Sequence, residues 1–154
     1  MPAKFCLSNN MLSFPKADVI AVGLALFHDT GAYPSFLGHH GRFERNPQAE
    51  LSNLYKIHIA IYQTDFDLKT WQRRNGLSRT CDNFVIYTQH FLEEECFQIL
   101  GVVTPDAHAT IDKLLPHFIE QAEKFHSMNS IQLAKLAWFD CANLQIKNQI
   151  TLTK

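Results

Sequence analysis

The sequence lacks any large excess of charge of one sign. Its 154 residues carry 14 Lys and Arg against 15 Asp and Glu, a formal net charge of −1. This balance excludes the simplest signature of a nucleic-acid-binding protein, a strongly basic domain, but is compatible with a local basic patch. With 46% hydrophobic and 19% charged residues, the chain has the composition of one globular domain rather than of a disordered segment.

Long apolar runs and paired cysteines are also missing. The longest apolar run extends from Val19 to Phe27, nine residues, and is too short to span a bilayer. The N-terminus has no charged region followed by an apolar one, so no signal peptide is predicted. The four cysteines stand at positions 6, 81, 96 and 141, and no two form a Cys-x-x-Cys pair. We therefore expect a cytoplasmic protein with reduced thiols and no membrane partner.

Several motifs of catalysis are absent. There is no glycine-rich phosphate loop, no His-Glu-x-x-His and no Gly-x-Ser-x-Gly. The eight histidines are poorly spaced for a metal ion, since His39 and His40 are adjacent and no pair stands four residues apart on a predicted helix. We therefore predict no metal site and no cofactor.

The segments with periodic patterns indicate an α+β fold. Strands are predicted on alternating or β-branched composition at residues 4–7, 54–62, 84–89 and 96–103. Helices are predicted from Ser13-Phe14-Pro15 to Gly31, after a cap formed by Thr104-Pro105-Asp106, and over about 130–142. Pro116 predicts a kink or a break in the second of these helices. Residues 31–48, with three glycines and two prolines, are predicted as a loop around a short helical turn. This order favours a small, mostly antiparallel sheet.

One stretch of the chain is basic. Residues 56–80 contain five basic side chains and two acidic ones, net +3, whereas residues 81–125 contain two basic and eight acidic ones, net −6. The basic side chains are Lys56, Lys69, Arg73, Arg74 and Arg79. The stretch is either a solvated face or a phosphate-binding surface, and charge alone does not separate the two.

Three features could carry chemistry. The tract Ser78-Arg79-Thr80-Cys81-Asp82 is either a hydrogen-bonded loop or a phosphate-holding arginine flanked by polar groups. His58 shares a predicted strand face with Lys56, and His108 lies in the first turn of a predicted helix, where the helix dipole favours anions. Each histidine has an ordinary structural or surface role as its alternative. Together these groups supply the base, the cation and the acid that metal-free RNA cleavage requires.

Five blocks that contain these residues, in this order and spacing, resemble the YafO family of toxins. The blocks are GAYPSFLG at 31–38, IHIA at 57–60, SRTCD at 78–82, VIY at 85–87 and PDAH at 105–108. The resemblance covers about residues 31–126. It implies a RelE/ParE-like domain over residues 1–126, a small antiparallel sheet with helices packed on one side. Residues 127–154 are expected to be a helical extension that packs on the same domain.

The family consists of toxins of bacterial type II toxin–antitoxin pairs. The resemblance implies an endonuclease that cuts translated mRNA on the ribosome, without a metal, by attack of the 2′-hydroxyl. Its partners would be the ribosome, the translated mRNA and a cognate antitoxin. The alternative is a non-catalytic translation inhibitor that binds the ribosome on the same fold. Phe84 favours this alternative, because many RelE relatives have an arginine at that place.

The resemblance highlights seven residues but does not fix their roles, which we assign as a hypothesis: His58, Ser78, Arg79, Thr80, Asp82, Tyr87 and His108. Arg79 is predicted to clamp the phosphate, His58 to act as general base or acid, and His108 or Asp82 to act as the complementary group. The remaining side chains are expected to bind RNA: Lys56, Arg73, Arg74, Ser78, Thr80 and Tyr87.

Overall fold

The computed structural model describes residues 2–72 and 75–142. Its strands are β1 (Lys4–Leu7), β2 (Leu37–Arg42), β3 (Leu54–Ile59), β4 (Phe84–Gln89), β5 (Cys96–Val103) and β6 (Phe139–Asp140). Its α-helices are α1 (Ala17–Thr30), α2 (Pro47–Leu51), α3 (Gln63–Phe66), α4 (Ala107–His126) and α5 (Ser130–Ala134). Single 3₁₀ turns occupy Asn9–Met11, Lys69–Gln72 and Gly76–Ser78.

The six strands form one sheet in the order β2-β3-β4-β5-β1-β6. Neighbouring strands are antiparallel except β1 and β5, which are parallel. The predicted α+β class with a mostly antiparallel sheet is therefore confirmed. The predicted bounds of β1, β4 and β5 agree with the structure residue for residue.

The edge strand β2 contradicts the prediction of a loop over residues 31–48. Its sequence, LGHHGR, contains no β-branched residue, and its pairing with β3 shifts register between Leu37 and His40. β3 ends at Ile59 and not at residue 62, because the next backbone N–H, that of Ala60, donates to the carbonyl of Phe36 outside the sheet. Tertiary pairing therefore decides both segments against their local sequence pattern.

The helix starts also differ from the prediction. Helix α1 begins at Ala17 and not near Ser13, because Lys16 takes a left-handed conformation with φ of 55°. Its end at Gly31, with φ of 76°, agrees with the prediction. Helix α4 begins only at Ala107, and Asp106 makes no capping side-chain bond, so the predicted Thr104-Pro105-Asp106 cap is wrong. α4 continues through Pro116 to His126 without a break.

The C-terminal extension is helical only in part. Helix α5 covers five residues, and β6 follows it and pairs with β1. The helix predicted over 130–142 is therefore too long, and β6 joins this part of the chain to the sheet. Residues 143–154 of the predicted extension lie outside the described residues.

Helices pack on both faces of the sheet. Phe5, Val85 and Tyr87 face the core that contains α1, whereas Phe84 and Ile86 face the core that contains α4. Because strand side chains alternate, β4 contributes to both cores. The expectation of helices on one side is therefore wrong. Among the residues described, no helix is long and apolar enough to cross a membrane.

Gly38 holds the segment after the third 3₁₀ turn against β2. A methyl group on Gly38 would lie 2.5 Å from the carbonyl oxygen of Arg79 and 2.9 Å from the Trp71 ring. That carbonyl also accepts a 2.8 Å hydrogen bond from the N–H of His39. We expect Gly38→Ala to lower the free energy of unfolding by about 1–3 kcal/mol, because backbone must move.

Gly41 on the same strand provides the control, since a methyl group there meets no atom closer than 3.8 Å. Gly41→Ala should change stability by less than about 1 kcal/mol. Urea denaturation of both variants measures the difference, and equal losses would show that the contact with Arg79 is unimportant.

Candidate functional site

Two histidines from separate elements meet at one end of the sheet. His58 lies on β3 and His108 in the first turn of α4, and their ring centroids are 5.8 Å apart. Both rings contact the ring of Phe84 edge to face, with centroid distances of 4.8 Å. Phe84 pairs with His58 across the β3–β4 ladder. The sheet and α4 therefore bring together two residues that are 50 positions apart in the sequence.

His58 is buried, with 5% of its surface exposed. Its Nδ1 lies 2.7 Å from the carbonyl oxygen and 3.1 Å from the backbone nitrogen of Cys81. The contact with the carbonyl requires a proton on Nδ1, whereas the backbone N–H of Cys81 can donate to Nδ1 only when that nitrogen carries a lone pair. We assign the proton to Nδ1, because the contact with the carbonyl is the shorter of the two. Nε2 then carries a lone pair and can accept a proton.

Burial lowers the pKa of His58 to about 4. The hydrogen bond to Cys81 opposes this shift, and positive charge on His108, His39 and Lys56 adds to it. The imidazole of His58 is therefore neutral at pH 7, which is the form that a general base requires.

Asp82 holds His108 in place. One carboxylate oxygen, Oδ1, accepts a 2.8 Å bond from the backbone N–H of His108 and lies 2.6 Å from its Nδ1. The backbone bond caps α4 from a distant loop and is the main reason why the pKa of Asp82 is lowered. The side-chain bond fixes the proton on Nδ1 of His108 and leaves Nε2 directed elsewhere. Both side chains are at least half exposed, so substrate can reach them.

A third histidine, His39 on β2, also belongs to this site. Its ring centroid is 5.9 Å from that of His58, and its Nδ1 lies 3.0 Å from the carbonyl oxygen of Leu77. The sequence pattern indicates only that His39 is poorly spaced for a metal site. A correct strand assignment for residues 37–42 would have placed it beside His58.

The predicted phosphate clamp, Arg79, has structural contacts. Its Nη1 donates to the carbonyl oxygens of Pro34 and Leu37, at 3.3 Å and 3.1 Å, and so braces the chain that enters β2. Thr80 is exposed, and its carbonyl accepts a bond from the hydroxyl of Thr70. Ser78 ends the preceding 3₁₀ turn. The contacts of all three residues with RNA stay predictions.

Lys56 is a basic side chain that lies close to Phe84. Its Nζ lies 5.3 Å from the ring centre of Phe84 and 5.1 Å from that of Phe43. Such contacts with the ring face favour a cation. Lys56 and the two histidines therefore contact the same phenyl ring, that of Phe84. Arg73 and Arg74, also predicted to bind RNA, lie outside the described residues.

Tyr87 is buried away from the site, so the predicted contact of its side chain with RNA is wrong. It lies on the α1 face of β4 with none of its surface exposed. Its hydroxyl bonds to Nε2 of His28 at 2.8 Å and to Nε2 of His40 at 2.5 Å. Alternation along β4 places Tyr87 on the face opposite Phe84, away from His58 and His108.

No cluster of three or more His, Cys, Asp or Glu side chains suited to a metal ion occurs within residues 2–72 and 75–142. All four cysteines are free thiols.

Comparison with known proteins gives one match. A family model described as toxin YafO of a type II toxin–antitoxin system matches residues 25–127, about two thirds of the chain. No curated protein and no solved structure matches the chain. The matched range contains His39, His58, Asp82 and His108. The chain therefore belongs to the YafO family of type II toxin–antitoxin toxins, which implies a cognate antitoxin as its partner.

Proposed function

We propose that this toxin is an endoribonuclease that cleaves translated mRNA on the ribosome and thereby inhibits translation in the cytoplasm. The observation that supports the proposal is that the imidazoles of His58 and His108 lie together against one phenyl ring. His58 is neutral, and His108 is held by Asp82. Two imidazoles at such a separation can act on opposite sides of one phosphate.

The proposed reaction needs no metal. Nε2 of His58 takes the proton from a 2′-hydroxyl, whose oxygen attacks the adjacent phosphorus. The bond from phosphorus to the 5′ oxygen breaks, and that oxygen takes a proton from Nε2 of His108. Asp82, bonded to Nδ1, stabilises the positive charge that His108 carries before this transfer. The products are a 2′,3′-cyclic phosphate and a 5′-hydroxyl.

Cations are needed where charge develops on the phosphorane. Lys56 contacts the same phenyl ring as the imidazoles, and the bonds from Arg79 join the segment before Asp82 to the chain that enters β2. In this proposal Lys56 approaches the phosphate, and Arg79 contributes by placing the segment and by its positive charge. The ribosome supplies the alignment of the message, which accounts for low expected activity on free RNA.

Transcript mapping after controlled expression in a bacterium tests the proposal. We expect growth arrest together with new 5′-hydroxyl ends inside translated regions, and none in untranslated RNA. A strain that carries the empty expression vector is the control. New ends that also appear in RNA without ribosomes would contradict the dependence on translation.

The second candidate function is a translation inhibitor that binds the ribosome without cutting. Phe84 favours it, because a buried phenyl ring lies under both imidazoles where many RelE relatives have an arginine. Growth arrest with stalled ribosomes and intact messages would support this candidate and overturn the nuclease.

The role of Asp82 can be separated from the reaction itself. Asp82→Ala removes the bonds to the backbone and ring of His108, so we expect a loss of about 1 kcal/mol in stability and cleavage on programmed ribosomes about 100-fold slower. Asp82→Asn keeps an acceptor for the backbone N–H and should restore stability, while the lost charge keeps cleavage slow. Full activity of both variants would remove Asp82 from the mechanism.

A further inference from the structure

An open groove adjoins the histidine pair on the α4 face. It has a volume of about 540 Å³ and lies between α4 and the chain from the end of β2 to α2. This volume is within the range of about 300–1,000 Å³ that is typical of ligand pockets. The lining residues are Arg42, Phe43, Glu44, Arg45, Asn46, Lys56, Ile111, Asp112 and Leu115. Lys56 lines the groove and also lies over the ring of Phe84, so the groove reaches the edge of the site at this residue.

Three cations line this groove. Arg42 pairs with Glu50, whose carboxylate lies 3.9 Å from Nε, and its Nη2 donates to the carbonyl of Glu50 and the side-chain oxygen of Asn53. Its guanidinium also stacks on Tyr55 at 4.6 Å. Arg45 is exposed, and Lys56 is half-buried over phenyl rings. Only Lys56 belongs to the basic stretch 56–80, so folding adds two arginines from another part of the chain.

Two carboxylates, Glu44 and Asp112, line the same groove. They would repel a uniformly acidic polypeptide. A nucleotide offers both kinds of partner, since its phosphate is an anion and its base edge carries N–H donors. The mixture of charges therefore favours RNA over an acidic protein segment as the occupant.

We propose that this groove binds the nucleotide next to the scissile phosphate and reads its base. Arg45 and Lys56 contact phosphate, and Asp112 and Glu44 accept hydrogen bonds from the base. The carboxylates favour adenine, cytosine and guanine, which have exocyclic amino groups, over uracil, whose exocyclic groups are both acceptors. The inference rests on the proposed function for the identity of the substrate, but binding tests it without cleavage.

The phosphate part is tested with short single-stranded 2′-O-methyl RNA, which the proposed reaction cannot cleave. Fluorescence anisotropy at several salt concentrations measures binding to the full chain. We expect Arg45→Gln to weaken binding several-fold at low salt and to reduce the slope of log K against log salt by about 0.7. Lys135→Gln is the control, because Lys135 follows α5 at the opposite edge of the sheet. Equal effects of the two variants, or no binding by the wild type, would overturn the proposal.

The base-reading part compares 2′-O-methyl oligonucleotides of A, C and U. We expect the wild type to prefer A and C over U, Asp112→Ala to reduce this preference, and Glu120→Ala to keep it. Glu120 is exposed on α4 and outside the groove, where it pairs with Lys124. No preference in the wild type would overturn base reading even if cleavage is found.

A protein occupant gives a different pattern. If Arg45→Gln leaves RNA binding unchanged and weakens binding of the cognate antitoxin, the groove is a protein interface and the proposal is wrong. Failure of the nuclease hypothesis alone would appear as RNA binding that depends on Arg45 without new transcript ends in cells.

Discussion

Replacement of His108 by alanine is expected to slow mRNA cleavage on programmed ribosomes by about 100-fold to 10,000-fold. This is the range that one positioned general acid contributes. The effect should fall on the chemical step, because the imidazole protonates the leaving oxygen and makes no bond that the fold requires. The backbone N–H that Asp82 accepts is kept in the variant, so the cap of α4 remains. In cells, growth arrest and new 5′-hydroxyl ends should both disappear.

His117 provides a matched control on the same helix. It is exposed two and a half turns further along α4, where it has a long 3.5 Å contact with Asn10 and a ring contact with Phe118 at 6.0 Å. His117→Ala should keep full activity, and both variants should show the thermal stability of the wild type. Full toxicity of His108→Ala would exclude His108 as the acid. Arrest without new ends in the wild type and the variant alike would favour the ribosome-binding alternative.

The sequence predicted the central strands well, because their pattern is local. Residues 84–89 and 96–103 are rich in β-branched and aromatic types, and the structure has strands with these bounds. Residues 37–42 contain two glycines and two histidines, and they form a strand only because β3 offers a partner edge. Local propensity could not reveal that pairing.

The site follows the same division. The sequence identifies His58 and His108 as candidate site residues, because His58 shares a predicted strand face with Lys56 and His108 lies in the first turn of a predicted helix. The cap of α4 by Asp82 joins residues 26 positions apart, and the tract SRTCD alone allows several turn conformations. The resemblance predicts Tyr87 among the RNA contacts, whereas alternation along β4 directs its side chain to the other core. A residue's place in a sequence motif therefore does not predict on which face of the sheet its side chain lies.

Acidification is expected to destabilise the fold strongly between pH 6.5 and pH 4. Burial lowers the pKa of His28, His40 and His58 to about 4 each. In the unfolded chain a histidine has a pKa of about 6.5. The unfolded state therefore binds more protons across this window, and the free energy of unfolding falls as the pH falls.

Between pH 7 and pH 5 we expect the protonation of each of these histidines to lower the free energy of unfolding by about 1–2 kcal/mol. The sum for the three approaches the total free energy of unfolding of an ordinary domain, about 5–15 kcal/mol. Urea denaturation at a series of pH values measures the slope. His40→Gln removes one titrating group and should reduce proton uptake on unfolding by about one. Glutamine can still form a hydrogen bond with the hydroxyl of Tyr87, so the fold should be kept. His117→Gln should keep the wild-type slope. If His40→Gln leaves the pH dependence of the free energy of unfolding unchanged, His28 and His40 beside Tyr87 are already accessible to water in the folded state. The acid sensitivity would then come from His58 and the carboxylates, and the core under α1 would be looser than its contacts indicate.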